Sequence, residues 1–168
     1  MRTTSRSRST ATSDPARVAE LYFAYGSNMS SARLLARVEG ARALGAAALL
    51  DHRLVFDKPG HDGTAKANLR RVEDATAHGV LWEIEPHALA TLDDFEPGYE
   101  RVRRTVRMQH ETHLEAWIYL HPGSDASLQP SCEYLDHLIA GAREHGLPRE
   151  LLERLARFEA TVRGHPAG

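Results

Sequence analysis

The sequence predicts an α+β fold in which a small mixed β-barrel or sheet is flanked by helices, and three observations lead there. Apolar and β-branched segments with strand character follow one another in runs through the first two thirds of the chain, without alternating strictly with helices. Helical periodicity is concentrated in the last third. Neither GxGxxG nor GxxxxGKS/T occurs, so a doubly wound nucleotide-binding fold lacks its usual sequence support. The length of 168 residues suits one domain with a substantial core.

The first residues, 1–18, carry Arg2, Arg6, Arg8 and Arg17 among Ser, Thr and small alanines and hold nothing to bury. They read as a disordered basic leader; a transit peptide shares the Arg and Ser richness, but the Ala- and Arg-rich body suggests a high-GC bacterial coding bias. Order is expected over 19–160 as a single domain, with a short flexible tail over 161–168. Residues 20–25, Glu-Leu-Tyr-Phe-Ala-Tyr, form an apolar and aromatic run that predicts a buried strand, stopped at Gly26. Ser27 and Asn28 offer caps for a helix over 29–38, whose Met29, Leu34, Leu35 and Val38 fall near helical spacing.

Two strands are expected at 43–50 and 53–57, divided by the polar Asp51-His52 pair, before a glycine-punctuated loop at 59–63. Two more follow at 66–72 and 77–84, and Pro86 ends the second and opens a helix over 87–95 with Leu89, Leu92 and Phe95 on one face. Residues 99–108 and 114–120 predict a hairpin. A helix over 132–145 presents Tyr134, Leu135, Leu138, Ile139 and Ala142 on one side and ends at Gly146. Pro148 starts the last helix, where Leu151, Leu152, Leu155 and Phe158 repeat.

Composition narrows the function. With 42% hydrophobic and 26% charged residues the chain is globular in character, and a net charge of −2 supplies no positive field to hold nucleic acid or an anionic membrane. Cys132 is the only cysteine, which excludes an internal disulfide and leaves too few thiols for a structural zinc or iron-sulfur site. No apolar run reaches the roughly 18 residues of a membrane span, and no secretory core is present, so a cytoplasmic location is expected. None of the ten histidines sits in HExxH, so no metal site is expected. Neither Ser27 nor Cys132 lies in a nucleophile motif. Arg101, Arg103 and Arg104 read as a solvated strand face.

Two local patterns carry chemistry. Tyr25-Gly26-Ser27-Asn28 joins a strand to a helix start, where backbone N–H groups and the helix N-terminus favour an anion; an ordinary capped turn has the same residues. Asp93, Asp94 and Glu96 gather at a helix C-terminus, where the dipole raises carboxylate pKa, and an acid also enclosed by aromatics becomes a general base. A solvated acidic turn closed by Pro97-Gly98 is the alternative.

Taken in order, three blocks resemble the γ-glutamylcyclotransferases. Leu21-Tyr22-Phe23-Ala24-Tyr25-Gly26-Ser27-Asn28 is similar to the glycine loop of that family. Gly79-Val80-Leu81-Trp82-Glu83-Ile84 followed by Leu92-Asp93-Asp94-Phe95-Glu96-Pro97-Gly98-Tyr99 resembles its second block, and Ala116-Trp117-Ile118-Tyr119 with 134–148 resembles its C-terminal strand and helix pair. The resemblance spans about residues 20–158.

It implies a barrel with an end cavity, Glu96 as catalytic acid/base, and Gly26, Ser27 and Asn28 as backbone anchors. Tyr22, Tyr25, Tyr119 and Tyr134 are implied as pocket walls and hydroxyl donors. The implied reaction is a cofactor-independent cyclisation: the α-amine of a γ-glutamyl group attacks its own γ-carbonyl, releasing an amine or amino acid and forming 5-oxoproline. Neither metal nor cofactor is implied, the partner is a small γ-glutamyl molecule, and a homodimer is compatible with the family. The Ser-Asn pair after Tyr25-Gly26 resembles the branch acting on γ-glutamyl amino acids and differs from the amine-specific branch. Removal of a γ-glutamyl protecting group in a natural-product pathway, a noncatalytic binding module and a hydrolase using water are the alternatives.

Overall fold

The structure, a computed structural model, describes residues 18–164. The leader expected over 1–18 therefore lies outside the described residues except for the exposed Val18. Five strands form a closed barrel in the order β1-β3-β2-β4-β5: β1 (Glu20–Ala24), β2 (Arg42–Pro59), β3 (Ala65–Ile84), β4 (Glu100–Arg107) and β5 (His113–Leu120). Four helices accompany it: α1 (Ser31–Arg37), α2 (Ala88–Phe95), α3 (Cys132–Glu144) and α4 (Arg149–Gly164). Helix α4 runs to Gly164, into the segment expected as a flexible tail from 161; residues 165–168 lie outside the described residues.

Four of the strands expected from the sequence are two long ones. Asp51 does not divide a pair; it sits at a bulge, where the β2–β3 register shifts between Leu50 and His52. Asp51 and Asp74 both have left-handed φ values, 56° and 61°, and the Asp74 N–H donates to Asp51 Oδ1 at 3.1 Å. Aspartate tolerates that conformation, and a bulge bends a strand while keeping its ladder. Bending lets 18- and 20-residue strands serve a small barrel instead of extending into water. Closure comes from a nonlocal contact, the parallel pairing of β1 with β5 at Tyr22 and Trp117.

Consecutive Val80, Leu81 and Trp82 are all buried, so both faces of β3 are covered. Trp82 meets the His145 ring at the end of α3, with centroids 5.3 Å apart. Helix α3 begins at Ser131, whose Oγ accepts from the Tyr134 N–H at 3.1 Å. It ends as expected at Gly146: with φ of 63°, that residue allows Gly146 N–H to reach Arg143 O and Leu147 N–H to reach Ala142 O, the paired bonds of a Schellman cap. Within α3, a Cβ at Gly141 would stand 2.6 Å from Met29 Cβ and from Ser30 N. Glycine is required there because α3 lies directly against the loop after β1, which it holds in place.

Helix α1 is shorter than the sequence suggested. A single 3-10 turn, Ser27–Met29, precedes it, and Ser30 rather than Ser27 or Asn28 is its cap, accepting from the Arg33 N–H at 3.4 Å. Leu35, expected on the apolar face, is 47% exposed, and its neighbour Leu34 is the buried residue of the helix.

Candidate active site

The cavity at the end of the barrel is bounded by the loop after β1, the C-terminus of α2, the β2–β3 hairpin and Tyr134 of α3. It has a volume of about 150 Å³. Tyr22, Tyr25, Gly26, Ser27, Asn28, Glu96, Tyr119 and Tyr134, the residues that the sequence singled out, all line it.

Ser27 and Asn28 are not caps because their side chains are engaged across the loop. Ser27 Oγ accepts from Arg33 Nε at 2.9 Å. Asn28 is a hub: its Nδ2 donates to Tyr22 Oη and to Glu96 Oε1, each at 3.1 Å, and its Oδ1 accepts from Arg37 Nη1 at 3.1 Å. The 3-10 turn is closed by the Met29 N–H on Gly26 O, and the N–H groups that open such a turn have no acceptor within it. Gly26 has an ordinary negative φ of −108°, so it is not there for a left-handed turn. Its role is close approach: a Cβ would lie 3.3 Å from both Ala67 Cβ and Tyr134 Oη.

Of the three acids at the end of α2, one faces the cavity. Asp94 is exposed, and Asp93 is 44% exposed, accepts from Tyr119 Oη at 2.8 Å and stands 3.4 Å from Arg101 Nε. Glu96, the residue just past the helix, has a side chain only 17% exposed, with Arg37 Nη1 3.9 Å from its Oε1. The turn that follows closes through the Tyr99 N–H on Glu96 O, with Gly98 left-handed. Burial pushes the Glu96 carboxyl up to about 7, against the opposing pull of Arg37, Lys58 and Arg33. Desolvation, the enclosure expected from the sequence, is the largest cause. A carboxyl poised there both takes and returns a proton near neutrality.

All four tyrosine hydroxyls are tied into the protein. Tyr25 Oη donates to Tyr119 O, Tyr119 Oη to Asp93, and Tyr134 Oη accepts from the Ala67 N–H at 3.0 Å. Tyr22 Oη accepts from Asn28, beside Glu96. Burial raises all four phenols well above the usual tyrosine range, so they stay neutral.

Sequence reasoning missed the cations. Arg33, Arg37, Lys58 and Lys66 all line the cavity, as does Tyr99, whose Oη donates to Ala67 O at 2.7 Å. The signal was present in part: Arg33 and Arg37 are four apart on the helix that leaves the glycine loop, hence on one face, and Lys58 and Lys66 flank the 59–63 loop. Phe95, expected on the buried face of α2, is 46% exposed and lies at the cavity under the Arg37 guanidinium, 4.9 Å from its ring centroid. Among the described residues no group of three or more His, Cys, Asp and Glu side chains is arranged to hold a metal, and no helix is long and apolar enough to cross a membrane.

Residues 76–155 match the AIG2-like family. The chain belongs to the γ-glutamylcyclotransferase family. It is 30% identical over 150 residues to the gamma-glutamylcyclotransferase of Bos taurus, covering 83% of this chain and 78% of that one. The crystal structure of an uncharacterized human protein superposes with a TM-score of 0.77 at 29% identity, covering 82% of this chain and 86% of that one. A solved gamma-glutamyl cyclotransferase at 24% identity shares the fold, with a TM-score of 0.78 over 88% of this chain and 99% of that one.

Proposed function

We propose that the chain cyclises γ-glutamyl compounds, forming 5-oxoproline and releasing the amine or amino acid attached to the γ-carbonyl. The observation that carries this reading is the sheltered carboxyl of Glu96, the one acid among the described residues that lines the cavity, held by Asn28 in a site that also presents four cations and several neutral phenols. Glu96 accepts a proton from the substrate α-amine as its nitrogen bonds to the γ-carbonyl carbon. The resulting oxyanion collapses, the original C–N bond breaks, and Glu96 returns the proton to the departing nitrogen. The substrate supplies its own nucleophile, and the site needs no serine or cysteine for attack. Ring closure gains from effective molarities that reach about 10⁵ M or more, so the protein's part is to fold the substrate and move the proton.

The N–H groups opening the Ser27–Met29 turn, together with Arg33 on Ser27, suit the glutamyl α-carboxylate. Tyr22, Tyr25, Tyr119 and Tyr134 wall the cavity around the chain of that group. The test is a mass-spectrometric screen of γ-glutamyl compounds with purified protein. The expected result is 5-oxoproline in step with released amine; free glutamate would indicate a hydrolase using water, and substrate binding without turnover a noncatalytic module.

A further inference from the structure

A chain of hydrogen bonds outside the cavity ends on the turn that carries Glu96. Pro97 of that turn has no N–H to donate, and Gly98, left-handed with φ of 83°, is its residue of greatest conformational freedom. The Gly98 carbonyl is bonded to His121 Nδ1 at 2.8 Å, and because a carbonyl only accepts, Nδ1 carries the proton. The His121 ring also meets the Tyr99 ring at 71°, with centroids 6.2 Å apart. His121 is itself fixed from its backbone: its N–H donates to Asn68 Oδ1 and its carbonyl accepts from Asn68 Nδ2, each at 3.0 Å. Asn68 is fully buried and gives its other amide N–H to Asp57 Oδ1 at 2.9 Å. Asp57 Oδ2 accepts from Arg70 Nε at 2.7 Å and from Ser124 Oγ at 3.2 Å. None of His121, Asn68, Asp57 and Arg70 lines the cavity.

We propose that His121 is a positioning residue for Glu96: its Nδ1–H holds Gly98, and with it the carboxyl two residues earlier, while Asn68 and Asp57 hold His121. The assignment rests on the cyclotransferase reading. Glu96 must reach first the attacking and then the departing nitrogen, and a misplacement of about 1 Å at a reacting group costs on the order of 100-fold. Asn28 holds the carboxyl itself, and the Tyr99 N–H closes the turn on Glu96 O. The bond from His121 joins Gly98 to the residue that follows β5, and so ties the turn to the barrel. Both donors and the acceptor of the Asn68 amide are used, which specifies one arrangement of this buried network. Without the His121 bond Gly98 is free to rotate, the carboxyl shifts and water reaches it.

The experiment measures kcat and KM for L-γ-glutamyl-L-alanine in the wild type, His121→Phe and His121→Asn at one pH. Phenylalanine keeps a ring beside Tyr99 and has no donor, whereas the asparagine amide can place an N–H where Nδ1–H stands. His121→Phe should lose about 10- to 100-fold in kcat with KM little changed, and His121→Asn should restore most of the loss. A carbon-13 NMR titration of the Glu96 carboxyl in the same proteins, without substrate, reads its position independently. With Arg37, Lys58 and Arg33 still facing it, the group should titrate toward its ordinary 4.5 in His121→Phe and stay at about 7 in His121→Asn. A phenylalanine variant with wild-type kcat overturns the assignment, as does an equal loss in both variants or a Glu96 titration that neither variant moves. His121→Leu, also without a donor, stands in if the phenylalanine variant does not fold. A wild type that turns over no γ-glutamyl compound would contradict the cyclotransferase reading, and the titration then decides the positioning of Glu96 by itself; wild-type turnover that His121→Phe leaves unchanged would contradict the assignment alone.

Discussion

Replacing Glu96 by glutamine should change how stability depends on pH, in a direction that the burial of this carboxyl fixes. In the folded protein the group holds its proton up to about pH 7, compared with an ordinary value of 4.5. Between those values the folded state binds more protons than the unfolded chain, so stability falls as pH rises; below them the contribution of the protonated group is fully present, and above them it is lost. A rise from 4.5 to about 7 corresponds to about 3 kcal/mol.

Glutamine keeps the shape and an acceptor for Asn28 Nδ2 but does not titrate. The unfolding free energy of the wild type minus that of Glu96→Gln should therefore decrease by about 3 kcal/mol between roughly pH 4 and pH 8, with the other titrating groups cancelling. Urea unfolding of both proteins across that range measures it. A difference that stays constant with pH, or grows as pH rises, would show that Glu96 ionises in the fold as easily as in water and would remove the basis for calling it poised.

Gly26→Ala should reduce kcat/KM far more than melting temperature, because the added methyl meets Ala67 and Tyr134 at 3.3 Å, on the side of the turn that faces the cavity; kinetics and thermal unfolding on the same preparation check it, and parallel losses would make the glycine purely structural. Arg37→Met removes the strongest of the cations that favour ionised Glu96, so the acidic limb of the kcat/KM profile should move to higher pH; a limb that stays in place or moves down would assign it to another group. Exhaustive chelation should leave activity unchanged, since no cluster of metal ligands occurs among the described residues; activity lost to the chelator and restored by a divalent ion would refute the proton-transfer mechanism.

Much of the barrel was legible because β1, β5 and the end of β3 carry aromatic and β-branched residues and β2 is apolar, and α3 and α4 because their apolar residues recur at helical spacing. The bulge at Asp51 was not, since a polar pair inside a bent strand has the same composition as a turn. A small mixed barrel or sheet was expected, but not the parallel pairing between residues 22 and 117 that closes it. The choice of Glu96 over Asp93 and Asp94 came from the resemblance; in the structure Glu96, one residue past Phe95 where the chain leaves α2, is the one of the three that lines the cavity. The cations were hidden for a different reason. Arg and Lys are ordinary on surfaces, and only the fold brings α1 and the β2–β3 hairpin to the same cavity.

Proton transfer by Glu96 during cyclisation is tested most directly by following 5-oxoproline and released amino acid together, for the wild type and Glu96→Gln on the same γ-glutamyl substrate. The wild type should form the two products in equal amounts, and the variant, folded and still binding substrate, should do so at least about 100-fold more slowly. Glutamate in place of 5-oxoproline, or a glutamine variant within a few-fold of the wild-type rate, would contradict it.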